Sequence, residues 1–142
     1  MISIRDLHSS DYEKGYCDLL SQLTTVGPIS KDDFDQQLKA IQRAGTIIRV
    51  IERDNKIIGT ATLFLEDKFI HQCGRVGHIE DVVVHSQYRK LNYGRKLIED
   101  LVQIAKDKGC YKVILNCSIC NQPFYEKCGF TLKGIEMALY FN

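Results

Sequence analysis

No stretch of this chain approaches the roughly 20 consecutive apolar residues of a membrane-spanning helix. The opening MISIRDLHSSDYEK meets charge too early for a secretory signal, and the closing ALYFN is not a Ser-Lys-Leu peroxisomal address. An intracellular, cytoplasmic location with no membrane partner is therefore the expectation. Charge of one sign is also missing. With 19 Lys and Arg against 18 Asp and Glu, the formal net charge is +1, so no nucleic-acid partner is expected and any anion site must be local. Repeats, low-complexity tracts and Pro- or Ser-rich linkers are absent, and with two prolines nothing marks a second domain within 1–142. A second cysteine knuckle is missing too. Of six cysteines only Cys117 and Cys120 form a C-x-x-C, where a zinc ribbon needs two such pairs and a redox pair should open a helix after a strand. Packing or incidental thiols, and no metal, are expected.

What is present suits an ordinary globular domain: 142 residues, 44% hydrophobic and 26% charged, enough to bury a core. ISIR reads as a first strand. Ser9 or Ser10 then caps a predicted helix through DYEKGYCDLLSQL, broken at Gly27 and Pro28. Ser30 with Asp33 makes a capping-box-like start for a second helix, whose face carries Phe34, Leu38 and Ile41 before Gly45 ends it. The period then changes. TIIRVIERDNKIIGTATLFLED reads as a hairpin turning at Asp54 and Asn55, and VGHIEDVVVH as a central strand. From Gly94 the spacing Leu97, Ile98, Leu101, Val102, Ala105 is helical; CYKVILNC is a strand, NQPFYEKCG a short helix, and GFTLKGIEMALYF closing strand material. The order β α α β β β α β α β predicts an α/β (α+β) mixed sheet with helices on both faces, antiparallel first and with a parallel crossover later.

Three features carry chemistry. YRKLNYGRK gathers Arg89, Lys90, Arg95 and Lys96 at a helix start, where unpaired N–H groups and the helix dipole hold a pyrophosphate; it also reads as a solvated basic turn. Glu80 and Asp81 lie side by side in a strand. Regular pleating points them to opposite faces, whereas a β-bulge re-aims one of them and lets Glu80 meet an amine and accept its proton, directly or through water. Tyr125, in NQPFYEKCGF, either packs a short helix or hydrogen-bonds a leaving thiolate beyond the neighbouring strand.

Together, in this order, the three features resemble the GCN5-related N-acetyltransferase (GNAT) superfamily. Its Arg/Gln-x-x-Gly-x-Gly/Ala motif is here Arg89-Lys90-Leu91-Asn92-Tyr93-Gly94, with Asn92 where the first glycine usually stands. Asn tolerates the left-handed conformation better than most residues. Further blocks, LTTVG, KFIH, GHIEDVVV, GCYKVILNC, FYEKCGF and GIEM, look like the eukaryotic glucosamine-6-phosphate N-acetyltransferase branch.

The resemblance implies the GNAT fold over nearly the whole chain, and direct acetyl transfer from acetyl-CoA to the 2-amino group of glucosamine 6-phosphate, a step toward UDP-N-acetylglucosamine. It implies no acetyl-enzyme. By matching positions, Val82, Val83 and Val84 would run beside the pantetheine arm, and Arg89, Lys90, Leu91, Asn92, Tyr93, Gly94 and Arg95 would cradle the pyrophosphate. Asn121, Phe124 and Tyr125 would face the thioester end, with Tyr125 near the departing sulfur. Glu80 and Asp81 would hold the sugar near its amine, with Asn116, and Thr24, Lys68 and His71 would surround its phosphate.

Two positions depart from the pattern. Asn116 stands where members have aspartate and Tyr140 where they have an arginine, which in the family comes from the partner subunit. Asn116 can hydrogen-bond a hydroxyl but cannot act as a base. Loss of a bidentate donor leaves the phosphate to Lys133 or Lys68. A homodimer through the apolar IEMALYF strand is implied as well. Two other readings remain: a GNAT enzyme for a polyamine or protein N-terminus, which would call for an acidic pocket, and a non-catalytic acyl-CoA-binding module.

Overall fold

The computed structural model describes residues 1–141. Five strands form one sheet in the order β1-β2-β3-β4-β5: β1 (Ile2–Asp6), β2 (Ile47–Arg53), β3 (Lys56–Asp67), β4 (Arg75–Val84) and β5 (Cys110–Leu115). The first three pairings are antiparallel and β4 with β5 is parallel. The helix between β4 and β5 makes that crossover possible, since parallel neighbours need a long connection.

Alternation along the strands assigns the helices to two faces. On one, Ile51, Ile58, Ala61, Leu63 and Ile79 pack with Leu97, Ile98, Leu101 and Ala105 of α4 (Tyr93–Asp107). On the other, Val50, Ile57 and Val83 pack with Tyr16 and Leu19 of α1 (Tyr16–Ser21) and with Phe34 and Leu38 of α2 (Lys31–Arg43). Ser30 caps α2, its side chain accepting from Asp33 N–H at 3.1 Å, as the capping pattern predicts. The β2–β3 hairpin turns on Asp54 (φ 51) and Asn55 (φ 64), the positive angles a two-residue turn demands.

Two expectations are corrected. The first predicted helix is two pieces, a 3-10 turn at Ser9–Tyr12 and then α1, divided at Gly15 (φ 84). Neither Ser9 nor Ser10 is the cap. His8 holds that place, with its N–H donating to Asp11 at 2.8 Å, while Ser9 Oγ turns to Asp35 at 2.6 Å. The helix stops because the Lys14 carbonyl accepts from Ile57 N–H at 3.0 Å, a bond to β3 that competes with continued winding. The second correction concerns the closing strand: residues 131–141 form neither helix nor strand. Leu132, Ile135, Met137, Leu139 and Phe141 are 72–91% exposed. Within one chain that segment finds no surface against which to bury them, and a strand without a partner has no ladder to gain.

Candidate active site

β4 and β5 run together only from Arg75↔Cys110 to Ile79↔Leu115. Beyond that pair, Glu80 to Val84 keep a partner on the β3 side alone among the described residues. One edge of β4 therefore opens into a gap, with Asn116 and Cys117 exposed on its far side.

A bulge sits at the mouth of this gap. Thr60 pairs with Val83 and Thr62 with Glu80, so Asp81 and Val82 oppose Ala61 alone. Asp81 takes a left-handed backbone (φ 53), a strain of about 1 kcal/mol for a residue with a Cβ. Regular pleating would split the carboxylates between faces; here both residues are exposed. Behind them lies Tyr16, a buried residue from α1. Burial, and after it the Asp81 carboxylate, pushes its phenol up to about 12, against the lowering effect of a hydrogen bond with Thr60. Thr60 in turn donates to Arg49 O at 2.9 Å.

The basic loop follows β4. Asn92, at the N-cap of α4, is left-handed (φ 65), as the motif comparison predicts for a residue replacing glycine. Lys90 is left-handed as well (φ 66). No side chain caps α4, so its first N–H groups remain open to an anion. The cations are not equally free. Arg89 Nε donates to Val84 O at 3.1 Å, Arg95 pairs with Glu99 at 2.8 Å, and Lys96 lies over the Tyr93 ring. Gly94 is shaped by packing: a Cβ there would stand 3.2 Å from Phe124 Cζ and 3.8 Å from Val84. Phe124 of α5 (Gln122–Lys127) thus covers the start of α4.

Tyr125, beside Phe124, meets it edge-on with ring centroids 4.9 Å apart. Burial, then neighbouring Cys117 and Cys128, pushes the Tyr125 phenol up to about 12, so it carries its proton throughout the neutral range. All six cysteines are free. Asn121 is exposed at the start of α5.

The residues expected around the sugar phosphate are not gathered in one chain. Thr24 follows α1, whose neighbour Gln22 accepts from Ser86 N–H at 2.9 Å just past the end of β4. Lys68 and His71 lie instead on the connection before β4, and ten strand residues span about 30 Å. His71 stands in α3 (Ile70–Cys73), a single turn with left-handed backbone at His71, Gln72 and Cys73, and its ring lies 4.2 Å from Tyr111. Lys68 Nζ is 3.2 Å from Glu66, whose other oxygen is 2.9 Å from His78 Nε2. Those contacts, His78 first, hold the Glu66 carboxyl below its usual range.

Sequence reading missed Tyr16, Glu66 and His78. The register pairs Glu80 with Thr62 and His78 with Phe64, placing His78 on the Glu80 side of β4. The two-residue spacing was the available signal. A cleft of about 440 Å³ bounded by Asp6, Gln42, Asp67, Arg75 and Lys108 lies at the opposite end of the sheet and contains none of the predicted residues.

The acetyltransferase (GNAT) family model matches residues 1–130. Among curated relatives, glucosamine 6-phosphate N-acetyltransferase of Arabidopsis thaliana is 46% identical over 98% of this chain and 96% of its own length. Glucosamine 6-phosphate N-acetyltransferase 1 of Dictyostelium discoideum is 44% identical over 98% and 90%. The crystal structure of the Arabidopsis thaliana glucosamine-6-phosphate N-acetyltransferase superposes with TM-score 0.98 at 44% identity, covering 100% of this chain and 99% of that one.

Proposed function

Because this chain belongs to the acetyltransferase (GNAT) family, we infer that it transfers acetyl from acetyl-CoA to the 2-amino group of D-glucosamine 6-phosphate, giving N-acetylglucosamine 6-phosphate and CoA. The observation that carries this reading is the bulge at Asp81, which presents two carboxylates at the mouth of the β4–β5 gap, one strand-length before an uncapped helix start.

The amine attacks the thioester carbonyl, a C–N bond forms, the C–S bond breaks and the thiolate departs. Glu80 positions the amine and accepts its proton, directly or through water. Asp81 holds the sugar beside it. Tyr125, kept protonated by burial, hydrogen-bonds or protonates the leaving sulfur. The N–H groups at the start of α4, with Lys90, receive the pyrophosphate, and the open edge of Val82–Val84 runs beside the pantetheine arm.

The sugar phosphate is completed by a second copy of the chain. Supporting this are the separation of Thr24 from His71 along β4, the exposed β5 edge with Tyr111 and Ile114, and the exposed apolar residues of 131–141. A free apolar segment and an open edge suit a strand exchanged between subunits. In the absence of an arginine at position 140, Lys68 binds the phosphate by exchanging its Glu66 partner, with exposed Lys133 as the second cation.

Thiol release from acetyl-CoA, compared among glucosamine 6-phosphate, glucosamine, spermidine and a short peptide, tests the assignment. Turnover with the sugar phosphate alone is expected. Turnover with another amine instead would remove the substrate assignment and leave an acetyl-CoA-dependent transferase with a different acceptor.

A further inference from the structure

We infer that Arg53, at the tip of the β2–β3 hairpin, is a positioning residue for the acetyl-CoA loop: it braces the start of α4 through Tyr88 and Tyr93 and so sets cofactor affinity. This rests on the reading that α4 receives the pyrophosphate.

Arg53 is the last β2 residue in register, opposite Lys56, and the turn that follows fixes where its side chain starts. Its Nη1 donates to the Tyr93 hydroxyl at 3.1 Å, across 40 residues of sequence. Its guanidinium carbon lies 5.2 Å from the Tyr88 ring centroid, within the range of a cation–π contact. Its carboxylate contact among the described residues is Asp54 at 3.8 Å, an exposed side chain, and such a pair contributes little.

Tyr88 and Tyr93 bracket the loop Arg89–Asn92. That loop contains two left-handed residues with Cβ atoms, Lys90 and Asn92, and leads into a helix without a side-chain cap. Left-handed backbone is disfavoured for a residue with a Cβ, most of all at Lys90, so contacts from outside must hold the loop shape. Arg89 supplies one tie from within, to Val84 O. Arg53 supplies the tie from the neighbouring hairpin, grips both ends, and adds a positive charge beside the helix start without occupying any N–H group there.

The test measures CoA and dephospho-CoA binding by calorimetry, with steady-state kinetics on glucosamine 6-phosphate, for wild type, Arg53→Ala, Arg53→Lys and Tyr93→Phe. Arg53→Ala is expected to weaken both nucleotides about ten-fold and raise the acetyl-CoA KM to match, with kcat changed less than about two-fold and the sugar KM unmoved. Arg53→Lys should recover part of the loss, since it keeps the charge but not the planar fork, and Tyr93→Phe should lose the hydroxyl's share. Unchanged CoA affinity in Arg53→Ala overturns the inference. A loss seen with CoA but not dephospho-CoA also overturns it, because Arg53 would then contact the 3′-phosphate directly. If Arg53→Ala unfolds, the Lys and Phe variants decide by the same comparison. Wild type that binds no CoA overturns the acetyl-CoA reading and this inference together. Wild type that binds CoA but leaves glucosamine 6-phosphate unacetylated removes only the substrate, and the binding comparison still decides.

Discussion

The two ends of β4 are built differently. At its C-terminal end the elements proposed to receive the cofactor all lie within one chain: an open strand edge, a left-handed Asn92, an α4 without a side-chain cap, and Phe124 and Arg53 packed against the turn. At its N-terminal end Lys68 is held by Glu66, His71 rests on Tyr111, and the apolar segment 131–141 lies exposed. An anion bound by backbone N–H groups needs only a local loop, which one chain can shape. A sugar phosphate bound by side chains from distant elements needs those elements packed, and a single chain of this length leaves them apart.

The largest expected effect separates the two halves. Glu80→Gln should lower kcat by about 10²–10⁴-fold, the range for removing a general base, while CoA affinity measured by calorimetry stays intact; a matching loss of CoA binding would show that the halves are not independent. Truncation before Leu132 should convert the proposed dimer to a monomer in light scattering and cut sugar turnover by about 100-fold, the cost of misplaced substrate. CoA binding should survive truncation. A monomeric full-length protein with full activity would break the comparison outright.

Smaller effects sharpen it. Gly94→Ala places a Cβ at 3.2 Å from Phe124 and is expected to cost about 1 kcal/mol through overpacking, read as a lower unfolding midpoint and weaker CoA binding. The smallest effect is alkaline. Tyr16 behind the bulge and Tyr125 on α5 are both raised from 10.0 to about 12, by burial first. A raised folded-state pKa contributes stability that is complete below about 10 and disappears as pH climbs from about 10 to about 12. The urea midpoint should fall across that window in wild type and fall less in Tyr16→Phe. An equal fall in both would show that Tyr16 is not buried against the carboxylate.

Much of this was legible in the residues. Consecutive Val82, Val83 and Val84 marked a strand covered on both faces, and Asp54-Asn55 marked a turn. Ser30 with Asp33 marked a cap, and the heptad-like spacing from Leu97 marked the crossover helix. Each signal is local, set by backbone sterics or side-chain periodicity within a few residues. The failures were non-local. Gly15 divides the first helix because a carbonyl four decades of sequence away from its partner, Lys14 O, is claimed by Ile57 N–H. Alternating apolar residues in 131–141 looked like a strand, but alternation does not supply a partner ladder.

The sequence by itself determined the β2–β3 hairpin, the antiparallel and parallel halves of the sheet, and the basic loop that leads into α4, since propensity, periodicity and turn chemistry act over short spans. Only the tertiary structure decided that Glu80 and Asp81 are both exposed, that Tyr16 stands behind them, that Glu66 holds both Lys68 and His78, and that Arg53 reaches Tyr93. A bulge is an offset between two strands, and a brace is a contact between two elements. Neither exists until the sheet brings distant residues into register.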